Sequence, residues 1–340
     1  MNSCKKFIFA MLFIFAFSIV PAGCGFDNKD EDKKNAAAKA IILRLADVHP
    51  PDYPTVLGDK KFAEIVAQKT NGRIKIEVYP SGQLGEEKTV IEQVQLGAID
   101  LARVSAVPLA AFSKPLGIFS LPYIFDNEDH LWRFLRSPDG KAVLSKLDSA
   151  KMHGLSYYAA GTRSFYSSKP LKSLADLKGK KIRVQQSIIG IDLVSALGGK
   201  AVEMPYGEVL SALRAGYVDA AENNIASFLS ANHYQAAKNF LNNRHLMAPE
   251  VLLISKVAWN KLSADDKKIL EDSAWESAGY QMEIWKKYEQ EAKDKILAAG
   301  CVFTEVTDLR PWQNAVRPML NKYQKEYKAQ LDAIAKYRQK

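Results

Sequence analysis

The chain has 340 residues, 47% hydrophobic and 25% charged, with a formal net charge of +9. This is ordinary folded-protein composition, long enough for two domains and a sizeable core. The basic balance does not call for nucleic acid. Lys5 and Lys6 lie in a segment expected to be removed, and many other lysines stand beside acids (Glu86-Glu87-Lys88, Asp265-Asp266-Lys267-Lys268), the pattern of a solvated surface.

Residues 1–24 read as an export signal. Lys5 and Lys6 form its charged start, and Phe7–Val20 is apolar apart from Ser18. That run is shorter than the roughly 20 residues a membrane-spanning helix needs. Two cleavage readings stand side by side. Val20-Pro21-Ala22 places small residues for an ordinary signal peptidase, and Ala22-Gly23-Cys24 resembles a lipobox that would make Cys24 the lipidated first residue. Residues 25–40 are charged and then alanine-rich, which suits a flexible tether. Removal of the signal takes Cys4 with it and leaves Cys24 and Cys301. Lipidation of Cys24 would then rule out an intrachain disulfide, although the compartment permits one.

Past the tether, Ile41–Asp47 predicts a strand. The prolines of His49–Pro54 break the pattern, and Thr55–Lys69 has helical spacing. Asn71-Gly72 should end that helix, because both tolerate positive φ. Arg73–Val78 alternates as a strand. The turn Tyr79–Gly85 leads to a helix opening on Glu86 and Glu87 and stopped by Gly97, and Ala98–Val104 is a short strand. This β-α-β-α-β order is that of a parallel sheet covered by helices, whose ligands sit at the carboxyl ends of the strands. Here those ends are near His49, Tyr79–Gly85 and Arg103–Ser105.

The apolar Gly117–Phe125 suggests a crossing between domains, Asp126–Leu147 is mostly helical, and Gly154–Ala160 is a strand. A second β-α-β-α-β run follows: strand Lys181–Gln185, helix Ile188–Leu197, strand Lys200–Met204, helix Tyr206–Ala215 and strand Val218–Glu222. Val251–Ser255 looks like a return strand. Residues 263–299 form long amphipathic helices whose Trp275, Tyr280, Ile284, Trp285 and Tyr288 are packing positions. Val302–Val306 is a strand, and Arg310 to the end is helical. The expected fold class is α/β: two lobes, each a mostly parallel sheet flanked by helices, around a hinged cleft. Residues 41–162 plus 251–290 would form lobe 1, and residues 163–250 plus 291–340 lobe 2.

Catalytic signatures are sparse. The chain has no Gly-x-Ser-x-Gly, no His-Glu-x-x-His, no phosphate-binding loop and no paired-cysteine metal motif, and His49, His130, His153, His233 and His245 lack ligand spacing. No cofactor and no metal are therefore expected, and no catalytic residue is assigned. Arg183 is different. It lies between Ile182 and Val184 inside an apolar strand, where an unpaired cation is costly. It either pairs with an internal carboxylate or awaits a ligand carboxylate, which a guanidinium fits edge-on. Arg163 stands at a strand end, and Asn223-Asn224 follows a strand. The ordinary reading of the asparagines is a turn; the functional one is a donor and acceptor pair. Tyr206 reads as core or as the wall of a site. His49, Glu87, Arg103 and Ser105 all fall at strand or helix ends, where capping or solvation is the ordinary role.

These residues resemble a known family. YPSGQLG (Tyr79–Gly85), SLPYIF (Ser120–Phe125), GTR (Gly161–Arg163), DLKGKKIRV (Asp176–Val184), MPYGEVLSAL (Met204–Leu213) and VDAAENN (Val218–Asn224) resemble, in order, the extracytoplasmic solute-binding proteins of TRAP transporters, the DctP-like group, over residues 41–325. The resemblance implies a two-lobed periplasmic binding protein that closes on an organic acid. Arg183 matches the arginine that salt-bridges the ligand carboxylate, Arg163 a second, assisting arginine, and Asn223 the following asparagine. Tyr206 falls at an aromatic wall, Glu87 at an acidic first-lobe position and Ser105 at a polar one. Asp219 is followed by Ala220, not the usual glycine.

HPPDYPTV (His49–Val56), ARVSAVPL (Ala102–Leu109), RSFY (Arg163–Tyr166), RVQQS (Arg183–Ser187) and AENN (Ala221–Asn224) look like the branch that binds sugar acids such as glucuronate and galacturonate. His49, Glu87, Arg103 and Asn224 would then read hydroxyls. Ile225-Ala226 departs from that branch, and Arg103 would also suit a polyol phosphate such as glycerol 3-phosphate. The expected partners are the organic-acid ligand and the membrane subunits of a TRAP permease, with no nucleic acid and a monomeric state. The expected place is the periplasm, with anchoring if Cys24 is lipidated. The rival readings are a glycoside hydrolase using Glu87 and Glu222 as paired carboxylates, and a tethered sensor that serves a receptor.

Overall fold

The structure is a computed structural model that describes residues 40–339. The export signal, Cys24 and residues 25–39 of the tether lie outside the described residues. Eleven strands are formed: β1 (Ile41–Ala46), β2 (Ile74–Tyr79), β3 (Leu101–Ser105), β4 (Met152–Tyr158), β5 (Arg163–Ser167), β6 (Lys181–Val184), β7 (Lys200–Glu203), β8 (Ala220–Asn223), β9 (Asn239–Leu246), β10 (Glu250–Ser255) and β11 (Val302–Glu305) among the described residues. They make two sheets, ordered β2-β1-β3-β10-β4 and β11-β9-β5-β8-β6-β7. Helices flank both, giving the expected two-lobed α/β architecture.

Local chemistry sets the boundaries. Pro54 opens the helix Pro54–Lys69 at a position where its missing N–H is no loss, and Asn71 and Gly72 leave it with φ of 51° and 75°. Gly97, at φ 75°, closes the helix Glu87–Leu96. β1 pairs parallel with β2 and β3, and β6 pairs parallel with β7 and β8. The sheets are mixed, because β10 runs antiparallel to β3 and β4, and β5 antiparallel to β8 and β9.

Those antiparallel strands are where the chain changes lobe. It passes from β4 in the first sheet to β5 in the second through residues 159–162, and returns from β9 to β10 through 247–249. β4 pairs with β10 and β5 with β9, so the two crossings run side by side. The apolar Gly117–Phe125 stretch, expected to make the crossing, does not. It is bracketed by β3 and β4 of the same sheet and packs as core, with Ile118, Phe119 and Leu121 buried. Its apolarity reflects burial from several sides.

A third link is the helix Ala264–Ala298, a single 35-residue element where the sequence suggested several. Its first half packs on the helix Pro54–Lys69 and on β4, and its second half on the helix Ile225–Ser230. Leu270, Ala274 and Ala278 join the core of the first lobe, and Ala292 and Ile296 that of the second. Gln281, fully buried between them, holds the first crossing: its Oε1 accepts from Ala159 N at 2.8 Å and its Nε2 donates to Ala159 O at 2.9 Å. Gly161 of that crossing has φ 60°, a conformation that favours glycine, and a Cβ there would stand 2.5 Å from a Glu289 carboxylate oxygen. The helix Arg310–Gln324 packs on Ile188–Ala196 of the second lobe, whereas in Lys328–Lys336 the Ile334 carbonyl meets His130 Nε2 of the first at 2.9 Å. The division drawn from the sequence gave all of 291–340 to lobe 2.

Candidate functional site

The second sheet brings the arginines together by register. β5 and β8 are antiparallel with Ser164 opposite Asn223, which sets Arg163 beside the end of β8. β6 and β8 are parallel with Arg183 opposite Ala221. Arg163 and Arg183 are both buried, yet they are satisfied very differently. Arg163 donates from Nε and Nη2 to the two carboxylate oxygens of Glu222, at 2.6 and 2.8 Å, and from Nη1 to Asn223 Oδ1 at 2.9 Å. Burial would raise the Glu222 carboxyl, but the Arg163 charge, with His245 behind, holds it down at about 2. Arg163 thus has its internal carboxylate.

Arg183 has none among the described residues. Nε and Nη2 both donate to the Met204 carbonyl, at 3.0 and 2.7 Å, and Nη1, buried, has no partner. Burial lowers its pKa, the mark of a cation held where its charge is poorly compensated. The same burial, with Arg183 nearby, lowers His233 to about 3, so His233 is neutral at physiological pH and meets Tyr166 OH through Nδ1 at 2.7 Å.

In the first lobe, Arg103 is a hub. Its Nε donates to Asp47 Oδ2 at 2.8 Å, its Nη1 to Glu250 Oε2 at 2.7 Å and Glu87 Oε1 at 3.2 Å, and its Nη2 to Asp47 Oδ1 and to His49 Nδ1, the latter at 2.7 Å. Every N–H of the guanidinium is engaged. Arg103 therefore stands behind the site and orders it, and the ground for a phosphate reading at this position falls away. Burial and the Arg103 charge lower the pKa of His49. Its Nδ1 lies between Arg103 Nη2 and Asp47 Oδ1, the latter at 3.1 Å, and in the tautomer that accepts from Arg103 the hydrogen is on Nε2, where it is a donor. His49 is stacked on Tyr53 with ring centroids 4.0 Å apart.

These walls meet around a small cavity of about 20 Å³. His49, Glu87 and Glu250 line it from one lobe, and Arg163, Arg183, Gln185, Tyr206, Asn223, Asn224 and Ser227 from the other. The lobes touch beside it. Tyr53 OH lies 2.8 Å from Ser227 Oγ and 3.4 Å from Asn224 Oδ1. Besides Arg183 Nη1, the Gln185 Oε1 and the Tyr206 hydroxyl are buried without partners. A larger, mainly apolar groove lined by Phe112, Ile188, Tyr323 and Tyr327 lies elsewhere and lacks such convergent groups.

Of the residues singled out from sequence, His49, Glu87, Arg163, Arg183, Tyr206, Asn223 and Asn224 come together here. Arg103 sits one layer back. Ser105 does not line the cavity; its N–H donates to Glu87 Oε1 at 2.9 Å and its side chain caps the helix Ala106–Leu109. Asn224 also caps, through Oδ1 to Ser227 N at 2.7 Å. Sequence reasoning missed Glu250, Asp47, Gln185 and Tyr53. The available signal was an acid at the edge of an apolar run, Glu250 before Val251–Ser255 and Asp47 after Leu45-Ala46. Glu222, half of the proposed hydrolytic pair, is absent from the cavity wall and bound to Arg163.

With the geometry in view, residues 45–326 match the bacterial extracellular solute-binding protein family 7, DctP. A solute-binding protein of Chromohalobacter salexigens is 33% identical over 86% of this chain and 88% of its own. The crystal structure of a TRAP periplasmic solute-binding protein from Xanthobacter autotrophicus Py2 with bound β-D-galacturonate is similar at a TM-score of 0.84 and 39% identity, over 87% of this chain and 98% of that one. A counterpart from Pseudomonas putida F1 with bound D-glucuronate gives a TM-score of 0.85 at 34% identity, over 87% and 97%.

Proposed function

We propose a solute-receptor function from one premise: the chain belongs to the bacterial extracellular solute-binding proteins of family 7, the DctP family. It captures a sugar acid, a hexuronate such as glucuronate or galacturonate, outside the cytoplasm and delivers it to the membrane subunits of a TRAP permease. The carrying observation is Arg183, a buried guanidinium whose Nη1 points to no protein acceptor and which lines the interlobe cavity. A ligand carboxylate placed there would complete it in a charge-assisted pair. Asn223 would add its amide Nδ2, since its Oδ1 already accepts from Arg163 and from Asn224 N. His49 Nε2 and the lobe-1 carboxylates would read hydroxyls. The solved relatives with bound uronates support this ligand class.

Export by residues 1–24, anchoring through Cys24 and a monomeric state belong to the same reading. A thermal-shift screen of uronates, aldonates, dicarboxylates and polyol phosphates tests it. A ligand at 100 times its Kd stabilises the folded state by about 2.7 kcal/mol, so a uronate should raise the midpoint by several degrees. A screen in which only dicarboxylates or phosphates act would overturn the sugar-acid assignment.

A further inference from the structure

We propose that Glu87 and Glu250 act together as a charge filter at the lobe-1 end of the cavity, admitting polyhydroxylated monocarboxylates and rejecting the corresponding diacids. This rests on the sugar-acid reading and specifies which end of the ligand each lobe selects. Each of these carboxylates is tied to Arg103 through one oxygen, Glu87 by Oε1 at 3.2 Å and Glu250 by Oε2 at 2.7 Å. The other oxygen of each, Glu87 Oε2 and Glu250 Oε1, makes no hydrogen bond among the described residues, and both side chains line the cavity. Arg103 holds them in place but has no N–H left over. It is one positive charge among three carboxyl groups, Asp47, Glu87 and Glu250. This wall therefore stays negative whether or not Glu250 carries a proton.

The opposite wall is its complement. Arg163 and Arg183 lie there with Glu222 alone between them to offset their charge. The cavity is thus polarised, with donors and positive charge on lobe 2, acceptors and negative charge on lobe 1. A carboxylate at one end of a ligand satisfies Arg183. Hydroxyls at the other end donate to the free oxygens of Glu87 and Glu250. A second carboxylate there brings no hydrogen to donate and faces the net negative charge of that wall in a buried site, where such repulsion is strong.

The experiment is calorimetric titration of the wild-type chain, Glu250→Gln and Glu87→Gln with D-galacturonate and with galactarate, in which the far end is a second carboxylate. Glutamine keeps the shape and one acceptor but removes the charge. The wild type should prefer galacturonate by at least ~100-fold, of the order that like-charge juxtaposition produces in a closed interface. Each variant should lose affinity for galacturonate and gain it for galactarate, so that the ratio shifts tenfold or more. A merely structural role lowers both affinities together and overturns the filter. So does a wild type that binds galactarate as tightly as galacturonate, a result that needs no variant to fold. Galacturonate binding with an unchanged ratio in both variants overturns the filter alone. Failure of every sugar acid to bind the wild type overturns it together with the sugar-acid reading.

Discussion

Arg183 and Met204 share a lopsided bond: one carbonyl oxygen takes hydrogens from both Nε and Nη2, at 3.0 and 2.7 Å, and Nη1 is left without an acceptor. A neutral carbonyl orients the guanidinium without neutralising it. The charge is stored in the fold, aimed into the cavity, and the protein carries its desolvation cost until an anion arrives.

Arg183→Met should therefore separate binding from stability. Methionine keeps much of the stem volume and removes the buried cation. Sugar-acid affinity should fall by at least 100-fold, about 3 kcal/mol for a charge-assisted pair, whereas the melting midpoint of the unliganded protein should stay level or rise. Calorimetry and thermal denaturation on one preparation check both. A variant that melts far below the wild type would show that Arg183 is a structural support.

Tyr53 touches the other lobe without lining the cavity. Its hydroxyl spans the cleft to Ser227 Oγ at 2.8 Å, and its ring packs edge-on against Trp285 and Tyr288. Tyr53→Phe keeps the ring and deletes the bond. Loss of about 1 kcal/mol of closure energy should weaken ligand binding roughly fivefold and appear chiefly as faster release in stopped-flow traces. An unchanged release rate would remove Tyr53 from the closure contacts.

His233 gives a pH signature with a definite sign. Burial, helped by Arg183, lowers its pKa to about 3. A histidine depressed in the folded state contributes stability that is complete above the unfolded value of about 6.5 and is lost as pH falls toward the folded one. Across that window, about 6.5 down to 3, the wild type should lose close to a factor of ten in its folding constant per pH unit relative to His233→Asn. Denaturant midpoints at pH 7, 5.5 and 4.5 check this, because the other titrating groups are common to both proteins. A gap that widens on acidification would reverse the assignment.

The elements were largely legible in the sequence, and the division of labour among arginines was not. Alternation at Ile74–Tyr79 and the glycine stops after Lys69 and Leu96 are local signals, and they gave strands and helices close to those observed. Arg103 and Arg183 look alike in sequence, each flanked by apolar residues in a strand. What distinguishes them is distant: Arg103 finds Asp47 56 residues away and Glu250 147 residues away. β9 went unread because its polar sequence, NFLNNRHL, lacks a strand's alternation: the consecutive Phe240 and Leu241 are both buried, with Asn243 and His245. The mixed sheets follow from the same cause, since a strand that returns from the other lobe enters in a direction set by topology.

The helix Ala264–Ala298 ties the two halves together like a leaf spring. At about 1.5 Å per residue it is a rod some 50 Å long, gripped by one core through Leu270, Ala274 and Ala278 and by the other through Ala292 and Ile296. Any swing of one half about the paired crossings must flex the turns between those anchors, where Gln281 holds Ala159 and Trp285 is buried. Gly279 lies in that span, with open space where a Cβ would stand. How wide the jaws open, and how readily a captured solute escapes, is therefore set in part by the elasticity of turns that never touch the solute.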